Sequence, residues 1–145
     1  MVEPVQLQPE SRAIVLVVDD EPLNRELIRR VLHPRYQVLE AADATSATKL
    51  LENGGRQVAV MICDHLMPGR SGTELAGEVR SRWPEIVVLL LTGYDDAPEV
   101  EVAKRNGDVF FVVAKPFLNA SVLEGVARAI GEHDRRRSCS APLRA

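Results

Sequence analysis

AIVLVVDDEPLNRELIRRVL, residues 13–32, changes its period once, and that change decides the fold. Residues 13–18 are apolar without in-and-out alternation, as expected of a strand buried on both faces beneath helices. Asp19, Asp20 and Glu21 follow, and then Pro22, whose fixed φ and missing N–H suit the opening position of a helix. Beyond it Leu23, Leu27 and Val31 recur every four residues and predict one buried helical stripe.

The same unit returns along the chain. Strand candidates at 13–18, 36–40, 58–63, 86–91 and 109–113 alternate with five segments of helical period, a pattern that argues for parallel strands joined by crossover helices. Four of these strands are nearly all apolar; the second, YQVLE, is more polar and suits a sheet edge. The second helix is expected from Asp43, as N-cap, to Asn53, with Gly54-Gly55 stopping it. Ser71 to Glu74 has the capping-box pattern, and the helix it opens turns Leu75, Val79 and Trp83 inward before Pro84. Asp96 to Glu99 has the same pattern, ahead of a short helix to about Arg105 whose Val100 and Val102 weaken its intrinsic helicity, so that mobility is expected there. The last helix, about Asn119 to Ile130, buries Val122, Leu123, Val126 and Ile130. A single domain of residues 12–131 is expected, with 1–11 and 132–145 as flexible ends.

Composition bounds the function. The chain has 145 residues, 46% apolar, with a formal net charge of -3 and no overall positive field to hold nucleic acid. Its longest apolar runs, 86–91 and 109–114, are six residues each, far short of a membrane span. The N-terminus lacks the basic start and apolar stretch of a secretory signal, so a cytoplasmic protein is expected. Cys63 and Cys139 have neither disulfide nor metal-ligand spacing and read as inert thiols, Cys63 in the core. Arg135 to Arg137 read as solvated charge.

Chemistry concentrates where the strands end, which is where open parallel sheets bind ligands. Asp19 and Asp20 follow the first strand, Asp64 the third, Thr92 the fourth and Lys115 the fifth. Three carboxylates brought together repel, and a hard divalent cation resolves the conflict; all-oxygen ligation favours Mg²⁺, with Mn²⁺ as a substitute. Glycines that would admit a bare phosphate are absent after the first strand, where acids stand instead. The substrate that fits is a phosphoryl donor attacked by a carboxylate. Asp64 is the candidate nucleophile, held by the central strand VAVMIC, while the Met67-Pro68-Gly69 turn offers a carbonyl for the metal. Lys115 and Thr92 are suited to stabilising the equatorial oxygens in the transition state. His65 is assigned no chemistry. Taken singly, Asp19 and Asp20 would serve as helix-capping charges, Lys115 as a surface lysine and Thr92 as a turn residue; their joint placement favours the site.

V-V-D-D-E, D-x-x-M-P-x-x-x-G from Asp64 to Gly72, L-T-G and K-P-F resemble the response-regulator receiver family over about residues 13–131. The resemblance implies a doubly wound, flavodoxin-like α/β fold: a five-stranded parallel sheet of order 2-1-3-4-5 with helices on both faces. It implies metal ligation by Asp20, Asp64 and the Leu66 carbonyl, with Asp19 acting through water, and a cis Lys115-Pro116 bond. Phosphorylation would come from a histidine kinase or phosphotransfer protein. The output would be altered binding of a partner protein at the face of the fourth helix, fifth strand and fifth helix, with no direct nucleic-acid or membrane contact and with homodimerisation left open. Such a module modifies itself and is not an independent enzyme. Two alternatives stand beside it: a receiver-like interaction module that is never phosphorylated, and an aspartyl-nucleophile phosphatase. The phosphatase class places its nucleophile after the first strand with a second Asp two residues later, whereas Asp19 and Asp20 are adjacent.

The family's switch draws Thr92 towards the phosphoryl group and then turns an aromatic residue inward three positions before the lysine. Val112 occupies that position here, and strand parity sends Phe111 to the opposite face, so the signal is expected to travel through the fourth helix. Leu66 and Tyr94, two residues beyond Asp64 and Thr92, offer little to orient an attacking water, and slow self-dephosphorylation is expected.

Overall fold

The computed structural model describes residues 12–54, 57–93 and 97–140. Five strands, β1 (Ile14–Val18), β2 (Gln37–Ala41), β3 (Val58–Asp64), β4 (Val87–Thr92) and β5 (Phe111–Ala114), alternate with five helices, α1 (Pro22–Leu32), α2 (Ala44–Gly54), α3 (Gly72–Arg82), α4 (Pro98–Arg105) and α5 (Asn119–Ser140). The sheet is parallel throughout, in the order β2-β1-β3-β4-β5, with the polar second strand at an edge as expected. Every residue of β3 and β4 is buried, because helices cover both faces. One core layer joins α2, α3 and α4 to the sheet through Leu51, Met61, Leu75, Val79, Leu90 and Val100; the other joins α1 and α5 through Ile28, Leu32, Ile62, Leu89, Val122 and Val126.

Helix ends follow the local chemistry in most places. Asp43 Oδ1 accepts from the Ser46 N–H at 2.7 Å, and Ser71 and Glu74 form both arms of the capping box. Gly72, the first residue of α3, has no room for a side chain: a Cβ there would lie 2.5 Å from the Asp64 carbonyl oxygen and 2.7 Å from Leu90 Cδ1. Its N–H donates to the His65 carbonyl at 2.8 Å, so α3 starts directly against the end of β3. At α4 the expected capping residue cannot be followed. Ala97 is the N-cap and makes no side-chain bond, while Asp96 lies outside the described residues.

Two expectations are corrected. In α1 the buried positions are Ile28 and Leu32, whereas Leu23 and Leu27 are exposed. The inward face continues from Ile28 back to the half-buried Asn24 and Arg25, whose polar ends serve the start of the helix, and an apolar count cannot register that. At the other end of the chain, α5 does not stop near Ile130, and residues 132–140 are not a loose tail. His133 is buried with Nδ1 2.7 Å from the Glu85 carbonyl oxygen, and Arg136 donates to the carbonyls of Pro84 and Ile86. Glu132 pairs with both Arg135 and Arg136. Polar side chains docked on backbone carbonyls carry the extra turns. Residues 1–11 and 141–145, expected as flexible ends, lie outside the described residues.

Candidate functional site

Strand register turns scattered motifs into neighbours. Val18 lies opposite Cys63, Asp64 opposite Leu91, and Thr92 opposite Ala114, so Asp19, Asp64, Thr92 and Lys115 line up along the carboxyl ends of β1, β3, β4 and β5. Asp19, Asp64 and Thr92 are buried, and Asp20 is exposed at the mouth. Carboxylate oxygens of Asp19, Asp20 and Asp64 lie within 4.8 Å of one another. Lys115 Nζ donates to Asp64 Oδ1 at 2.6 Å, and the Lys115 N–H donates to the Thr92 carbonyl at 3.0 Å. The Lys115-Pro116 bond is cis, as the resemblance implies. Leu66 lies two residues beyond Asp64 with its side chain exposed; Tyr94 lies outside the described residues.

The electrostatics are those of crowded acids. Burial raises the Asp19 carboxyl above the ordinary carboxylate range and the Asp64 charge adds to the rise, while the Glu21 N–H, Lys115 and Asn24 oppose it. Burial likewise pushes the Cys63 thiol up, helped by Asp64 and Asp19, and keeps it protonated and inert in the core. Three oxygen donors at this spacing, one of them disfavoured as a lone anion, suit a hard divalent cation. One ammonium at one carboxylate cannot neutralise all three.

Two supporting residues escaped the sequence reading. Asn24 Nδ2 lies 3.4 Å from Asp19 Oδ2, and Arg25 donates through Nη1 to the Asp19 carbonyl at 2.7 Å while its Nε reaches Glu40 at 3.2 Å. The Glu21 N–H completes the set with a 2.9 Å bond to Asp19 Oδ1. Extending the Ile28–Leu32 face back by one helical turn would have found both. His65, to which the sequence assigned no chemistry, is buried next to Asp64 in the chain with Nε2 3.2 Å from Glu99 Oε1 on α4.

Phe111 and Val112 divide as strand parity requires. Phe111 packs in the α1/α5 layer against Gly125, where a Cβ would come within 3.1 Å of its ring, and Val112 faces the α2/α3/α4 layer.

Known proteins share this arrangement. Residues 15–127 match the family described as response regulator receiver domain. The hydrogenase transcriptional regulatory protein HoxA of Cupriavidus necator is 35% identical over 83% of this chain and 25% of its own length. The transcriptional regulatory protein FixJ of Azorhizobium caulinodans is 32% identical over 85% of this chain and 57% of its own length. The chain therefore spans between a quarter and just over half of these relatives. A response regulator receiver domain protein from Clostridium thermocellum superposes with a TM-score of 0.79 at 27% identity, covering 84% of this chain and 97% of that one.

Proposed function

The chain belongs to the response regulator receiver family, and from that premise we propose that Asp64 accepts a phosphoryl group from a histidine kinase or phosphotransfer protein and thereby alters a partner-binding surface. The observation that carries this reading is the 2.6 Å contact of Lys115 Nζ with Asp64 Oδ1 inside a cluster of three carboxylates. An Asp64 oxygen forms the new bond to phosphorus as the bond to the donor atom breaks, and the leaving group keeps that electron pair. β3 holds the nucleophile rigidly, so little orientational freedom is lost on reaching the transition state. The Lys115 ammonium and the Thr92 hydroxyl would interact with the phosphoryl oxygens as charge spreads over them.

Asp19, Asp20 and Asp64, with the Leu66 carbonyl, would hold Mg²⁺, or Mn²⁺ in its place. A bound hard divalent ion supplies charge neutralisation both for the crowded acids and for the incoming phosphoryl oxygens. Glu21, Asn24 and Arg25 hold Asp19 in position by the bonds described above. The chain modifies itself in this reading and turns over no separate substrate. The output surface is the face of α4, β5 and α5, where Val102 and Phe110 are exposed; a homodimer through that face is compatible with it, and a cytoplasmic location belongs to the same proposal. Among the described residues, no helix is long and apolar enough to cross a membrane.

The test is incubation with acetyl phosphate or phosphoramidate and Mg²⁺, followed by intact mass. The wild-type chain gains one phosphoryl group and Asp64→Asn gains none. Equal labelling of the two proteins, or no labelling of either, refutes the reading.

A further inference from the structure

His65 is more constrained than its neighbours in the loop after β3. Its N–H donates to the Leu91 carbonyl at 3.0 Å, and its own carbonyl accepts from the Gly72 N–H at 2.8 Å, so its backbone is pinned between β4 and the start of α3. Only the side chain leaves this clamp. The ring is 2% exposed, its Nε2 lies 3.2 Å from Glu99 Oε1, and its Nδ1 is buried with no hydrogen-bond partner. A carboxylate only accepts, so Nε2 is the donor of this pair, and Nδ1 faces the interior without a partner. An orphaned buried polar atom is destabilising, and an apolar side chain of similar size would avoid that cost. Packing alone does not account for a histidine here.

Glu99 stands in the first turn of α4, the helix whose N-cap makes no side-chain bond. That helix has eight residues, and Val100 and Ala103 are its buried anchors. It follows Thr92 closely in sequence, so a displacement of Thr92 towards Asp64 would be passed along the chain to α4. His65 cannot follow, because its backbone is fixed on both sides.

We propose that His65 is a positioning residue: its bond to Glu99 docks the first turn of α4 on the end of β3 while Asp64 is unmodified, and phosphorylation releases it. This latch rests on Asp64 being the phosphoacceptor, and the experiment separates the two claims.

Hydrogen exchange of the α4 amides, Val100 to Arg105, is followed in the full chain before and after acetyl phosphate and Mg²⁺, with intact mass read on the same samples. In the wild type, α4 exchange rises severalfold when the phosphoryl mass appears. Glu99→Ala and His65→Leu exchange at the faster rate before any phosphorylation, whereas His65→Gln, whose side-chain N–H reaches towards Glu99 from a similar position, restores slow exchange. Glu99 is exposed, so its substitution leaves the core intact; its carboxylate also accepts from its own backbone N–H, so His65→Gln against Glu99→Ala decides if His65→Leu fails to fold. The latch is overturned if Glu99→Ala leaves unphosphorylated α4 at the wild-type rate, or if His65→Gln exchanges as fast as Glu99→Ala. Fast α4 exchange in unphosphorylated Glu99→Ala, with no mass gain in the wild type, instead overturns the phosphoacceptor reading and leaves the docking contact standing.

Discussion

A carboxylate with an ammonium 2.6 Å away is partly neutralised before any reaction begins, and Asp64 is therefore less repelled by an incoming phosphoryl group than either of its acidic neighbours. The contrast with Leu66 is instructive. Two residues beyond Asp64, Leu66 presents an exposed hydrocarbon. No hydrogen bond from that side chain can orient a hydrolytic water, so the acyl phosphate should persist. Leu66→Asn supplies both a donor and an acceptor at the same place, and the phosphoryl lifetime should fall severalfold. The measurement is decay of the phosphorylated mass after the donor is removed. An unchanged lifetime would show that the water is oriented from elsewhere.

At the scale of elements, α5 shows how a helix can outrun its apolar pattern. Its last turns dock through His133 and Arg136 on backbone carbonyls of residues 84–86, and Glu132 ties Arg135 and Arg136 to the same turn. Hydrogen bonds from Arg135 and then Arg136 hold the Glu132 carboxyl well below its ordinary value of 4.5, at about 2. A carboxyl depressed in the folded protein contributes stability that is complete above its ordinary value and lost as pH falls through the folded one. Glu132→Gln should therefore lower stability by about 1 kcal/mol near neutrality, or about 3 °C in Tm. Thermal melts from pH 6 to pH 3 should show the gap between wild type and variant closing; a constant gap would mean that the ion pairs contribute nothing. The same helix marks the limit of reading from sequence. β3 and β4 were legible because burial on both faces leaves unbroken apolar runs, and the caps at Asp43 and Ser71 because capping is local chemistry. The inward faces of early α1 and late α5 were not, because polar residues line them: Asn24 and Arg25 bond back across the turn to Asp19, and His133 and Arg136 bond to backbone carbonyls far away in sequence. The four strand-end motifs were legible as a set, while the His65–Glu99 contact, which joins residues 34 apart, had no local pattern to announce it.

Across the whole molecule, the two-sided core holds together something that electrostatics opposes. Two unit charges 4.8 Å apart repel by ~1 kcal/mol even at the dielectric constant of water, and Asp19 and Asp64 are buried, where screening is weaker. The fold tolerates this because β1, β3 and β4 fix the carboxylates through backbone pairing that does not depend on them. Function and stability are therefore in tension at the strand ends, and removing one charge separates them. Asp20 is the suitable position, since it is exposed and its loss leaves Lys115 with its partner at Asp64. Without divalent ions, Asp20→Asn should melt about 3 °C above the wild type, the equivalent of ~1 kcal/mol. Adding Mg²⁺ should reverse the order: an ion bound only by the folded state stabilises with the logarithm of its free concentration relative to Kd, about 2.7 kcal/mol at a hundredfold excess over Kd, and the variant has lost one ligand. Melting both proteins across a Mg²⁺ titration checks the crossing. Parallel curves would mean that the three acids neither repel one another nor share a cation.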